Sequence, residues 1–156
     1  MLSERLKRFL DESGVKYEVI RHEEAYTAQE LAAAMHVKGA MFVKVVIVRD
    51  EKGFMMVAMP ADRRVDISAL RKGLGLKMAA LASENEFKRL FPDCEAGAMP
   101  PFGNLYSVPV YVDGALTLDH DIVFQAGTHY ESVKMSYADF DRLVLPQVIS
   151  ATRKAA

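Results

Sequence analysis

The stretch MFVKVVIV, residues 41–48, sets Lys44 among seven apolar side chains. On a strand, Phe42, Lys44, Val46 and Val48 share one face and Val43, Val45 and Ile47 the other. Both faces are apolar, so the strand reads as internal. An unpaired ammonium buried there costs several kcal/mol or loses its proton. Lys44 therefore needs an anionic partner or a polar cleft; a lysine snorkelling near the strand end, or paired with a buried carboxylate, meets the same constraint.

Two further stretches could carry chemistry. In GAMPPFG (97–103), glycine lets a backbone approach a ligand, and the paired prolines Pro100 and Pro101 pin the loop so that N–H groups stay aimed outward. Such donors suit an oxyanion or an ester carbonyl, although a tight helix-to-strand connection has the same composition. In AGTHY (126–130), Gly127, Thr128 and His129 follow an apolar strand, where active-site loops commonly sit. His129 could touch a polar substrate, act as acid or base, or cap a turn.

Other chemistry is absent from the sequence. No phosphate loop, dinucleotide fingerprint, H-E-x-x-H, C-x-x-C or G-x-S-x-G occurs, and the glycines of GLGLKM (73–78) are too few and wrongly spaced for a phosphate cradle. Cys94 lies between Asp93 and Glu95, neighbours that raise a thiol's pKa, so it reads as a loop or packing residue. DHD (119–121) suggests metal ligands, but adjacent strand side chains point to opposite faces; a turn with solvated charges is the better reading. None of these motifs therefore assigns a metal or other cofactor, and none is expected from them.

The elements that must position these residues follow from periodicity. Leu2, Leu6, Phe9 and Leu10 define an amphipathic helix, with Ser3 as cap and Gly14 as stop. Residues 15–22 alternate as a half-exposed strand, and Thr27 with Glu30 forms a capping box before a helix over about 28–36. Residues 41–49 and 54–59 form a hairpin through DEKG. A short helix begins at Asp66 or Ser68, KMAALA is extended, and SENEFKRLF opens with a second capping box and stops at Pro92. LYSVPVYVD, IVFQAG and ESVKMS read as strands, YADFDRLV as a helix capped by Ser136 and Asp139, and the tail QVISATRKAA is weakly specified. Helices interrupt strands irregularly, which favours a mixed α/β domain around one sheet over a doubly wound fold.

The 156 residues suit one domain, drawn as 1–156 with its core at about 1–145. The net charge of −1 supplies no general attraction for nucleic acid or an anionic membrane, so a local patch would be needed. Arg63, Arg64, Arg71, Lys72 and Lys77 provide one, and a charged solvated helix is the alternative. A single cysteine, no apolar signal core and no apolar run of about 20 residues point to a cytoplasmic protein with no membrane partner.

In order and spacing, the lysine within an apolar strand, then GAMPPFG, then AGTH resembles the YbaK/prolyl-tRNA-synthetase-associated editing domain family. HEEAYTAQELA (22–32) also resembles that family's His and Thr-x-x-Glu segment, and the likeness covers roughly residues 1–145. The resemblance implies a partly closed, barrel-like mixed sheet flanked by helices, and a trans-acting, metal-independent aminoacyl-tRNA deacylase. Its substrate would be a mischarged tRNA, typically proline tRNA carrying a small amino acid, with a synthetase as a further partner. By position, Lys44 is then the functional lysine near the terminal adenosine and its phosphate. The loop from Gly97 through Ala98, Met99, Pro100, Phe102 and Gly103 surrounds the ester, with Gly97 close to the substrate. His129, with Gly127 and Thr128, lines the amino-acid pocket, and His22, Tyr26 and Thr27 form its wall. An activated ester needs positioning and oxyanion stabilisation more than a strong nucleophile, which fits the lack of a nucleophile–His–acid set. A non-catalytic tRNA- or nucleotide-binding module, or a hydrolase of another ester, would use the same residues.

Overall fold

The computed structural model describes residues 3–23, 32–33 and 38–154. The first helix, α1 (Glu4–Ser13), forms as its spacing predicts: the Ser3 side chain accepts from the Leu6 amide, Gly14 closes the helix at φ 70°, and Leu6 and Leu10 are fully buried. Strand β1 (Tyr17–Arg21) follows. Of the helix expected over 28–36, only residues 32–33 are described, and they are helical. Tyr26 and Thr27 lie outside the described residues.

Strands β2 (Val43–Asp50) and β3 (Gly53–Pro60) make the expected hairpin, with Val43 opposite Pro60 and Asp50 opposite Gly53. Then come β4 (Arg63–Val65), α2 (Ile67–Leu74), β5 (Ala79–Leu81) and the single-turn α3 (Glu84–Phe87). β6 (Val110–Asp113), β7 (Asp121–Thr128), β8 (Glu131–Ser136), α4 (Tyr137–Val144), β9 (Gln147–Ile149) and β10 (Thr152–Lys154) complete the chain. Asp66, Ser83 and Ser136 each cap a helix as read, and Ser83 with Glu86 forms a complete capping box.

Pairing yields a mixed five-stranded sheet in the order β5-β2-β3-β6-β9, a three-stranded sheet β1-β8-β7, and the ribbon β10-β4. β6 runs parallel to both β3 and β9. An isolated parallel bridge, Phe42 to Val123, links the two larger sheets. The mixed α/β architecture is as expected; among the described residues the strands do not close into a barrel. One core lies between the two larger sheets, where α1 and α4 contribute Leu6, Leu10 and Phe140 alongside Ile47, Phe124 and Val133. A second lies on the other face of the five-stranded sheet, where Leu70 of α2 meets Val48, Met55, Val57 and Met59.

Three elements differ from the reading. SENEFKRLF is helical only over Glu84–Phe87. In LYSVPVYVD a 3-10 turn occupies Gly103–Tyr106, because Ser107 sits at φ 58° and Pro109 has no N–H to extend the strand. The tail is not loose: β9 and β10 are both paired, and they carry the fold to residue 154. No described helix is long and apolar enough to cross a membrane.

Candidate functional site

Strand alternation places Lys44. Val43, Val45 and Ile47 of β2 face the first core, and so do Ile122, Phe124 and Ala126 of β7. Phe42, just before β2, and Lys44 on β2, with Val123 and Gln125 on β7, must therefore face the opposite side. Both strands leave the Phe42–Val123 bridge in the same direction, and Lys44 and Gln125 are each two residues beyond it. On the neighbouring strand Ser132 lies directly opposite Gln125. One side of the β2-β7-β8 junction thus presents Lys44, Gln125 and Ser132 together.

The Lys44 ammonium is half-buried and donates to the carbonyl oxygen of Arg63 on β4. Among the described residues no carboxylate lies within ion-pairing distance of it. Burial lowers its pKa, the Arg64 charge lowers it further, and Asp62 opposes the change. Neither a buried carboxylate partner nor free snorkelling describes this geometry. An ammonium has three donors, and among the described residues one is engaged.

The loop before β6 and the turn after β7 are stitched together. The Gly127 amide donates to the Ala98 carbonyl at 2.9 Å, and the Glu95 amide to the Gly127 carbonyl at 2.8 Å. His129 Nε2 is 3.0 Å from the Ala96 carbonyl oxygen. That oxygen only accepts, so Nε2 carries the proton, and Nδ1 accepts from the Gln125 amide at 3.4 Å. The His129 amide reaches Glu95 Oε1 at 3.4 Å. Both ring nitrogens are thus engaged, and His129 Cε1 lies 3.7 Å from where a Cβ on Gly97 would sit.

In a trans peptide the C=O and N–H point opposite ways. The carbonyls of Ala96 and Ala98 face the β7-β8 turn, so the amides of Gly97 and Met99, on the same two peptides, face away from it. Neither amide has an acceptor among the described residues. Gly97 can hold this shape because its φ is 85°. The loop therefore has two backbone donors with no acceptor among the described residues.

Several expected substrate contacts prove to be packing or positioning groups. Ala98, Met99, Pro100, Phe102 and Gly103 are buried, and the Phe102 ring packs against Phe9, Phe124 and Phe140. These side chains hold the loop down. Gly103 is glycine because a Cβ would lie 2.5 Å from the Val108 carbonyl oxygen. Both backbone groups of Gly127 are engaged, and Thr128 Oγ1 accepts from the Tyr130 amide within the turn. His22 Nδ1 donates to the Glu23 carbonyl at 3.0 Å, its Nε2 lies 2.9 Å from Ser132 Oγ, and its amide donates to the Tyr130 carbonyl. It therefore borders the same turn.

Of the basic patch, Arg63 turns inward, with Nε 2.6 Å from Thr152 Oγ1 and 3.7 Å from Asp113 Oδ2, so it is a structural residue. Arg64, Lys72 and Lys77 are exposed and Arg71 partly so. In DHD, His120 is exposed, but Asp119 Oδ2 is buried with no partner among the described residues, so its charge is not solvated as expected. Cys94 is held at 3.4 Å from Tyr106 Oη, and burial pushes its thiol up to about 11. Sequence reasoning missed Gln125 and Ser132, although Gln125 is a polar residue in an apolar strand, the same signal that Lys44 gave.

The chain is similar to several known proteins. Residues 22–143 match the family model described as the aminoacyl-tRNA editing domain. The prolyl-tRNA editing protein ProX of Acetoanaerobium sticklandii is 27% identical over 141 residues, covering 86% of this chain and 85% of that protein. The multifunctional Ser/Thr-tRNA deacylase ProXp-y of Escherichia coli K12 is 26% identical over 157 residues, covering 97% and 93%. The crystal structure of a candidate trans-editing enzyme for prolyl tRNA synthetase superposes with a TM-score of 0.84 at 22% identity, covering 99% of this chain and 97% of that one.

Proposed function

The chain belongs to the aminoacyl-tRNA editing domain family, and on that premise we propose that it is a freestanding deacylase hydrolysing the ester of mischarged tRNA. One relative is named for prolyl-tRNA editing and another for deacylation of Ser/Thr-tRNA; of these substrates we take proline tRNA carrying a small non-cognate amino acid. The whole chain acts as one domain, in the cytoplasm where charged tRNA is found.

The observation that carries the chemistry is the pair of amides at Gly97 and Met99, which face away from the turn that holds their loop and have no acceptor among the described residues. In ester hydrolysis a water oxygen bonds to the carbonyl carbon, and negative charge develops on the carbonyl oxygen. Two prearranged N–H donors stabilise that oxyanion without reorganising. The bond to the ribose oxygen then breaks, and that oxygen leaves as a hydroxyl carrying the proton given up by water. The neighbouring ribose hydroxyl orients the attacking water. His129 acts as a positioning residue through the Ala96 peptide. Lys44 supplies the charge that meets the terminal phosphate or repels the substrate's α-ammonium into register.

Deacylation of proline tRNA charged with Ala, Cys, Ser or Thr tests this. Release of at least one amino acid supports it; binding of tRNA with no ester cleaved would leave a non-catalytic module.

A further inference from the structure

We propose that the β4-β10 ribbon is a phosphate-binding surface that receives the acceptor arm of the tRNA, with Arg64 and Arg153 as its contacts. This rests on the reading of the site as a tRNA deacylase.

The ribbon pairs Thr152 with Val65, Arg153 with Arg64 and Lys154 with Arg63. Arg63 and Val65 share the inner face: Val65 packs on the second core, and Arg63 is bonded to Thr152 and Asp113. Arg64 and Arg153 must then share the outer face, directly opposite one another, and both are exposed. Like charges in that relationship oppose strand pairing. Among the described residues neither arginine has a carboxylate partner, whereas Arg5, Lys7, Arg49, Arg63 and Arg142 each have one. The ribbon is nevertheless built firmly, since Thr152 Oγ1 also donates to the buried Asp113 at 2.7 Å. Two arginines set opposite one another on a fixed strand pair suit an anion with several oxygens.

Continuity with the site selects the partner. The carbonyl that accepts from Lys44 belongs to Arg63, one residue from Arg64. A chain of phosphates whose 3′ end lies at Lys44 therefore has its next groups within reach of this ribbon. A protein of net charge −1 has no general field to hold tRNA, so local contacts must do so.

The test measures tRNA binding across a salt series for the wild type and for R64Q/R153Q. It also measures hydrolysis of an aminoacyl ester on the full tRNA and on a 3′-terminal CCA fragment. The expected result is about a tenfold weaker Kd at 0.1 M salt, with a salt slope shallower by roughly one to two units, for two lost phosphate contacts. Hydrolysis of the fragment falls far less than hydrolysis of the full tRNA, and R64K/R153K recovers most of the binding. The single variant R153Q, at the chain's far end, gives an intermediate result if folding of the double variant is impaired. Unchanged Kd and slope would overturn the proposal, as would equal losses on tRNA and fragment. If the wild type cleaves no ester but R64Q/R153Q still weakens tRNA binding, the deacylase reading fails and the ribbon stands.

Discussion

The imidazole of His129 donates to the carbonyl of Ala96 at 3.0 Å, and this bond sets the direction of the Gly97 amide on the same peptide. A histidine expected to line a pocket thus also aims a backbone donor. His129→Ala removes the bond, so kcat should fall about tenfold or more with KM changed much less. The loss of one hydrogen bond costs about 1 kcal/mol of stability. His129→Gln, which keeps an N–H donor, should recover part of kcat. Steady-state kinetics on mischarged tRNA reads this, and a loss confined to KM would assign His129 to substrate contact instead.

Gly97 and Gly127 both have positive φ, 85° and 100°, but their surroundings differ. A Cβ on Gly97 meets only the His129 ring at 3.7 Å, whereas one on Gly127 lies 3.0 Å from Ser3 Cβ. Gly97→Ala should cost about 1–2 kcal/mol from backbone strain alone. Gly127→Ala should cost more, because the N-terminus of α1 must also shift. Urea denaturation of the two variants ranks them, and the reverse order would contradict this packing.

Phe102 sits in a cluster of rings rather than in a binding pocket. Phe102→Ala should therefore destabilise the fold by roughly 3–5 kcal/mol. Below its unfolding temperature the variant should keep the wild-type ranking of amino acids in the deacylation panel. A changed ranking with unchanged stability would return Phe102 to the substrate.

Lys44 has a pKa lowered by burial and by Arg64. Its folded value is below the unfolded one, so the unfolded chain binds the proton more tightly between the two. The burden of this charge is full at neutral pH and is relieved as pH rises through the folded pKa toward 10.5. Wild type should therefore gain stability relative to Lys44→Met across that alkaline window. Paired melting curves at neutral and alkaline pH check this; a constant difference would mean that the pKa is not lowered.

Cys94 lies near the loop but carries a thiol pushed up to about 11. Alkylation by iodoacetamide at neutral pH should be slower than that of a free cysteine, and Cys94→Ser should keep full activity. Fast alkylation with loss of activity would place the thiol in the reaction.

The sequence was most legible where periodicity and caps agree. Ser3, Asp66, Ser83 and Ser136 begin helices as read, and the 41–59 hairpin is in place. Lys44 was legible as an anomaly because a charge in an apolar strand has few physical explanations. The side-chain fates in GAMPPFG were not legible, since a loop has no period to say which residues turn inward. Met99 and Phe102 are core, and only pairing with residues 127–129 reveals which amides remain available. β10 escaped notice for a related reason. Three residues carry little alternation, and the partner of Arg153 lies 89 positions earlier.

The central claim is that this side of the β2-β7-β8 junction hydrolyses an aminoacyl ester with Lys44 in the machinery. Its most direct test is single-turnover deacylation of proline tRNA charged with Ala, Cys, Ser or Thr, by wild type and by Lys44→Ala. The wild type should release at least one of these amino acids. Lys44→Ala, with an unchanged circular dichroism spectrum, should be slower by about a hundredfold, the scale on which a preorganised electrostatic group acts. A folded Lys44→Ala that releases the same amino acid at the wild-type rate would contradict the account.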